Sequence, residues 1–191
     1  MKNKLGKFEQ NSLIMIFFSC VTGIFGYAYH LILGNFLSVV DYGKANAYIS
    51  YISLFSIFII PLAMFSSKKV AEASEENREL LEGVLPYVHR ITGIALSIIF
   101  SIGILLTICK KENAFFNLIF TITIITNVMY ILLIYIIQGF SDFILYSGAS
   151  FVSVLVKTIV TIILMKYGLG MYSVFLGVIV GNIFAIGLML Y

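Results

Sequence analysis

Residues 143–165 read FILYSGASFVSVLVKTIVTIILM, twenty-three positions with one charged side chain, Lys157. A bilayer core about 30 Å thick is crossed by about 20 helical residues, so this stretch predicts a membrane-spanning helix. Its polar residues are ordered. Tyr146, Ser150, Ser153, Lys157 and Thr161 recur at spacings of 4, 3, 4 and 4, which is one face of a helix. Phe151, Val154, Leu155, Ile159, Ile162 and Ile163 occupy the other faces. A polar stripe carrying a cation should face protein or water, because a charge in lipid is costly. The bland alternative is that Lys157 snorkels to the nearer interface.

Outward from this segment the pattern repeats. The spans Ser12–Val40, Ala45–Ser66, Ile91–Cys109, Ala114–Ile137, Phe143–Met165 and Met171–Tyr191 are each long and apolar enough to cross a bilayer. The expected fold is therefore an all-α membrane protein, a single domain over 1–191 built as a bundle of six transmembrane helices. Composition agrees: 61% of the 191 residues are hydrophobic and 11% charged, against about 25% charged in a soluble domain. Short turns at Asp41–Lys44, Lys110–Asn113, Gln138–Asp142 and Lys166–Gly170 make neighbouring helices antiparallel. The long connector, 67–90, is rich in glutamate, with a helix start expected at Ser74 ahead of Glu75 and Glu76. Pro61 removes a backbone donor and predicts a kink in the second helix. Tryptophan is absent, so Tyr42, Tyr48, Tyr87, Tyr167 and Tyr172 are expected to form the interfacial belt.

Lysine and arginine set the orientation. With the N-terminus inside, the cytoplasmic side holds seven (Lys2, Lys4, Lys7, Lys68, Lys69, Arg78, Arg90) and the outer side four (Lys44, Lys110, Lys111, Lys166). Both termini are therefore expected in the cytoplasm. The basic N-terminus resembles a signal peptide, but the apolar run behind it is far longer than the roughly 7–15 residues of a signal core, so it reads as a retained first helix. The net charge of +3 without a basic run argues against nucleic acid. Cys20 and Cys109 have no metal-type spacing and read as inert thiols. Asp41-Tyr42-Gly43-Lys44 and Lys166-Tyr167-Gly168-Leu169 echo each other as outer hairpins.

The other helices carry their own polar or small faces. Ser19, Gly23, Gly26, His30 and Gly34 repeat the 4, 3, 4, 4 spacing on the first helix, with Asn35 nearby. Such a face suits close packing, here ending at one imidazole, whose bland reading is a hydrogen-bonded interior histidine. The fourth span has Thr123, Asn127 and Tyr130; the sixth has Gly177, Gly181 and Ala185 with Asn182 beside them. Lys157 lies about 13 Å before Lys166 and His30 about 15 Å before Val40 along their helices, so the two share one layer. A layer of cations and amides suits a phosphate-linked headgroup. No aspartate or glutamate lies within the six spans, so ion coupling would fall to His30 or to a partner. Tyr146-Ser147-Gly148 is similar to the serine site of intramembrane proteases but lacks the upstream glycine and a later histidine. No zinc, P-loop or dinucleotide motif is present. Neither catalysis nor a cofactor is expected.

The layout also resembles a family. Leu33-Gly34-Asn35-Phe36-Leu37-Ser38-Val39-Val40-Asp41-Tyr42-Gly43 is similar to the first hairpin of bacterial polysaccharide flippases, and Pro61-Leu62-Ala63 through Lys68-Lys69-Val70-Ala71-Glu72 to their second helix and its basic exit. Gln138-Gly139-Phe140, Ser153-Val154-Leu155-Val156-Lys157 and Tyr167-Gly168-Leu169-Gly170 resemble their fourth-to-sixth helix region. These proteins belong to the multidrug/oligosaccharidyl-lipid/polysaccharide exporter superfamily. The resemblance implies one N-terminal lobe of a two-lobed transporter in the bacterial inner membrane. Its substrate would be a polyprenyl-pyrophosphate-linked glycan, and its partner a second lobe or a second copy of the chain. Members usually have twelve to fourteen helices, so the chain reads as a fragment, a truncated frame or a half-size dimeric member. The residues expected to meet substrate are Lys157, His30, Asn35, Ser153, Asn127 and Asn182. Two other classes stay open: a six-helix substrate-capture subunit of a vitamin importer, which would copurify with ATPase partners, and an assembly factor without transport, which would depend only on packing glycines such as Gly177 and Gly181.

Overall fold

The computed structural model describes residues 2–76 and 114–191, together with Pro86, Arg90 and Gly93. Apart from Gly93, the expected span Ile91–Cys109 lies outside the described residues, as do the turn Lys110–Asn113 and, apart from Pro86, the stretch 77–89 of the connector. Among those described, the chain is all-helical: α1 (Lys2–Phe36), α2 (Val39–Glu76), α3 (Ala114–Gly139), α4 (Phe143–Lys166) and α5 (Tyr172–Leu190). All five are long and apolar enough to cross a membrane. Their surfaces agree with lipid as the solvent: Phe58 is 80% exposed, Ile24 68% and Leu13 66%, which water would penalise at about 25 cal/mol per Å².

The first hairpin differs from expectation. Asp41–Lys44 is not a turn; it lies inside α2. The break falls at Leu37 and Ser38, three residues earlier, so α1 ends at Phe36 rather than Val40. The cause is a serine N-cap. Ser38 Oγ accepts the Asp41 backbone N–H at 3.1 Å and donates to Asp41 Oδ2 at 2.9 Å. The echo between the two Tyr-Gly segments therefore fails, because Gly43 is helical whereas Gly168 terminates a helix with φ +79°. There Gly168 N donates to Met165 O at 2.9 Å and Leu169 N to Leu164 O at 3.3 Å, a Schellman closure that favours glycine at the left-handed position.

A second correction concerns the connector. Its first ten residues, 67–76, continue α2, and Ser74 lies within that helix rather than opening a new one. Lys69 pairs with Glu72 at 2.9 Å and Lys68 with Glu72 at 3.8 Å, the i,i+3 and i,i+4 contacts that support a solvated helix. At 38 residues α2 is about 57 Å long, so its charged end projects beyond a 30 Å core.

The turn before α4 matches expectation. Asp142 Oδ1 accepts the Leu145 N–H at 3.0 Å and caps the helix. Asp142→Ala is expected to cost about 1 kcal/mol, read as a lowered thermal midpoint in detergent.

Packing runs in an order unlike the sequence. α4 packs most extensively on α5 and also on α1; α5 packs on α3, and α3 on α2. The helices thus form an open arc, α1–α4–α5–α3–α2. Its ends are sequence neighbours that touch each other little. They converge where Tyr29, Leu33, Ala45 and Val174 form a buried cluster beside the first hairpin. A larger apolar core around Ile52, Ile59, Phe116, Val128 and Phe175 joins α2, α3 and α5. The α4–α5 seam is set by glycines. A Cβ on Gly181 would stand 2.6 Å from Ser153 O, and one on Gly177 2.9 Å from Lys157 O.

The matching face of α1 behaves otherwise. A Cβ on Gly23, Gly26 or Gly34 would meet nothing within 4 Å. Among the described residues, nothing comes close enough to these three glycines to form the tight packing expected there.

Candidate functional site

The gap between the arms of the arc is a cleft of about 320 Å³, to which all five helices contribute. Tyr29 and His30 come from α1, Ser53 and Ser56 from α2, Asn127 and Tyr130 from α3, Ser153 and Lys157 from α4, and Asn182 from α5. Five of the six residues expected from the sequence therefore line one space. Asn35 does not; it is exposed in the last turn of α1, beyond the cluster that closes the cleft.

Two inter-helix hydrogen bonds build the walls. Asn127 Nδ2 donates to Ser56 Oγ at 3.1 Å, tying α3 to α2. Ser153 Oγ donates to Asn182 Oδ1 at 3.3 Å across the α4–α5 seam. Such bonds between membrane helices contribute about 0.6 kcal/mol on average, but they also aim the amides. Asn182 is 5% exposed, and its Nδ2 has no partner. A buried N–H left unmade is costly, and this one is shut from solvent at the α4–α5 seam.

Lys157 does not snorkel. Its Nζ lies 4.3 Å from the ring centroid of Tyr29, a cation–π contact inside the cleft. Tyr29 is 2% exposed, and its ring also meets the His30 ring edge-on at 5.8 Å. The Tyr29 hydroxyl faces Thr161 at the back of the cleft. Among the described residues, the ion pairs are those of Lys68 and Lys69 with Glu72, and no carboxylate pairs with Lys157. A cation held against a ring face, with no carboxylate partner among the described residues, suits an anion. No group of three His, Cys, Asp or Glu side chains comes together among the described residues to hold a metal.

The polar stripe of α4 is divided by its neighbours. Tyr146 and Ser150 border a lower groove, Ser153 and Lys157 the cleft, while Thr161 is fully buried against Gly177. Sequence reasoning missed Tyr29, Ser53 and Ser56. The serines had a signal, since Ser50, Ser53 and Ser56 recur every three residues in α2. Tyr29 had none, because an aromatic beside a histidine does not show which lysine it will meet.

No family model, curated protein or solved structure matches the chain. The fold and the cleft define its class: a multi-pass α-helical membrane protein whose helices enclose a polar, cationic cleft.

Proposed function

We propose that the chain is the N-terminal lobe of a lipid-linked oligosaccharide flippase in the bacterial plasma membrane, moving a polyprenyl-pyrophosphate-linked glycan from the inner to the outer leaflet. In this reading residues 91–109 supply the sixth helix, and both termini are cytoplasmic. A second lobe or second copy faces the open side of the arc. The observation that carries the reading is Lys157, a cation without a carboxylate partner among the described residues, set in a cleft lined by serine, tyrosine and asparagine side chains. Such a site suits the diphosphate of a lipid carrier.

In this reading the first hairpin, where α1 and α2 converge, lies on the outer side. Transport then requires the lobe to rock against its counterpart. The test is complementation of surface glycan in cells lacking the flippase. Wild-type chain with its counterpart should restore glycan, and Lys157→Met should not.

A further inference from the structure

Below the cleft, α1 and α4 enclose a second space of about 320 Å³. Ser19, Thr22 and Gly23 line it from α1, and Tyr146 and Ser150 from α4. No charged side chain borders it among the described residues. Its volume reaches the lower end of ligand pockets, about 300 Å³.

Three features mark it as more than a packing gap. The first is Thr22. Thr121, Thr123 and Thr158 turn their hydroxyls back onto the carbonyl four residues earlier, but Thr22 Oγ1 is shut from solvent without a partner. The second is the bare backbone of Gly23 and Gly26, where a Cβ would meet nothing within 4 Å. The third is continuity. Tyr130, which lines the cleft, lies beside Ser150, which lines the groove. Along α4, Ser150 and Tyr146 precede Lys157 by about 10 and 16 Å.

We propose that this groove is a second subsite, which takes an uncharged, hydroxyl-rich group, a glycosyl unit, of the ligand whose charged end meets Lys157. The inference rests on the flippase reading. Hydroxyls both donate and accept, so a wall of serine, threonine and tyrosine matches sugar hydroxyls, and the absence of a cation gives phosphate no reason to settle there. The spacing lets one ligand occupy both spaces, its glycan pointing toward the cytoplasmic end of the bundle.

The test uses the full chain with Cys20→Ser and Cys109→Ser and a reporter, Ser150→Cys, reconstituted with its counterpart. A water-soluble maleimide should label the reporter. Polyprenyl pyrophosphate carrying its glycan should slow labelling by about tenfold, a ratio equivalent to about 1.4 kcal/mol, whereas the same lipid without sugar should not. Equal slowing by both lipids, or by neither, overturns the subsite, as does a reporter that stays unlabelled. A second variant is Gly23→Leu, which adds a bulky apolar side chain at a groove-lining position where a Cβ meets nothing within 4 Å. It should reach the membrane at wild-type abundance and lose surface glycan; wild-type glycan overturns the proposal. The two readings fail separately. Loss of glycan with Lys157→Met but not with Gly23→Leu removes the groove alone, and the converse removes the role of Lys157 alone.

Discussion

Leucine at Gly177 is expected to abolish the folded bundle. The Cβ alone would run into Thr161 Oγ1 and stand 2.9 Å from Lys157 O, and the second of these is backbone that cannot rotate away. The neighbouring turn offers no relief, since a Cβ at Gly181 would lie 2.6 Å from Ser153 O and 3.0 Å from Lys157 Cβ. The α4–α5 seam is the most extensive packing in the arc, and small residues are what let it close. Overpacking a tight core costs about 1–3 kcal/mol and occasionally more, and separating these helices also breaks the Ser153–Asn182 bond that shapes the cleft. Gly177→Leu should therefore elute as aggregate on size-exclusion chromatography in detergent. Gly187→Leu, where a Cβ meets nothing within 4 Å, should elute as wild type. A monodisperse Gly177→Leu would show that the seam is looser than described.

Lys157→Met has the opposite signature: normal folding with lost transport. Methionine keeps an unbranched stem against Tyr29 while removing the charge. Since no described carboxylate pairs with Lys157, its removal leaves no described acidic group unpaired. A charge taken out of a poorly solvated site often leaves stability unchanged or higher, so the thermal midpoint should hold or rise. Transport should fall by about a hundredfold or more, as truncating one partner of a buried charge pair costs about 2–5 kcal/mol. Lys157→Arg keeps the charge and should retain part of the activity, because guanidinium also binds phosphate. Parallel loss of stability and transport in Lys157→Met would assign the residue to packing instead.

Much of this was legible in residue spacing, and the failures have identifiable physical causes. Apolar runs located α3, α4 and α5 closely because lipid imposes both length and composition. Gly177, Gly181 and Ala185 announced a packing face on α5, and the structure places it against α4. The same spacing on α1 has no such counterpart among the described residues, because a row of small residues serves equally to admit another helix or to leave space open. Only the partner decides, and here α4 approaches beside the glycines of α1 rather than onto them. The end of α1 was misjudged because Asp-Tyr-Gly looks like a turn. Ser38, three residues upstream, was the stronger signal, since its hydroxyl caps the Asp41 backbone N–H at the helix start. Five of the six expected site residues meet in one cleft because polar groups in lipid-facing helices must turn inward. Asn35 escaped this logic: it lies in the last turn of α1, where an amide can reach the interface.

The central claim is that Lys157 holds the charged end of a lipid-linked glycan during its passage across the membrane. Its most direct test reconstitutes the purified chain with its counterpart in proteoliposomes and follows a fluorescent polyprenyl-pyrophosphate glycan from one leaflet to the other. Wild-type protein should accelerate exchange well above protein-free vesicles, and Lys157→Met, folded and equally incorporated, should return it to the background. Exchange by Lys157→Met at the wild-type rate would contradict the account.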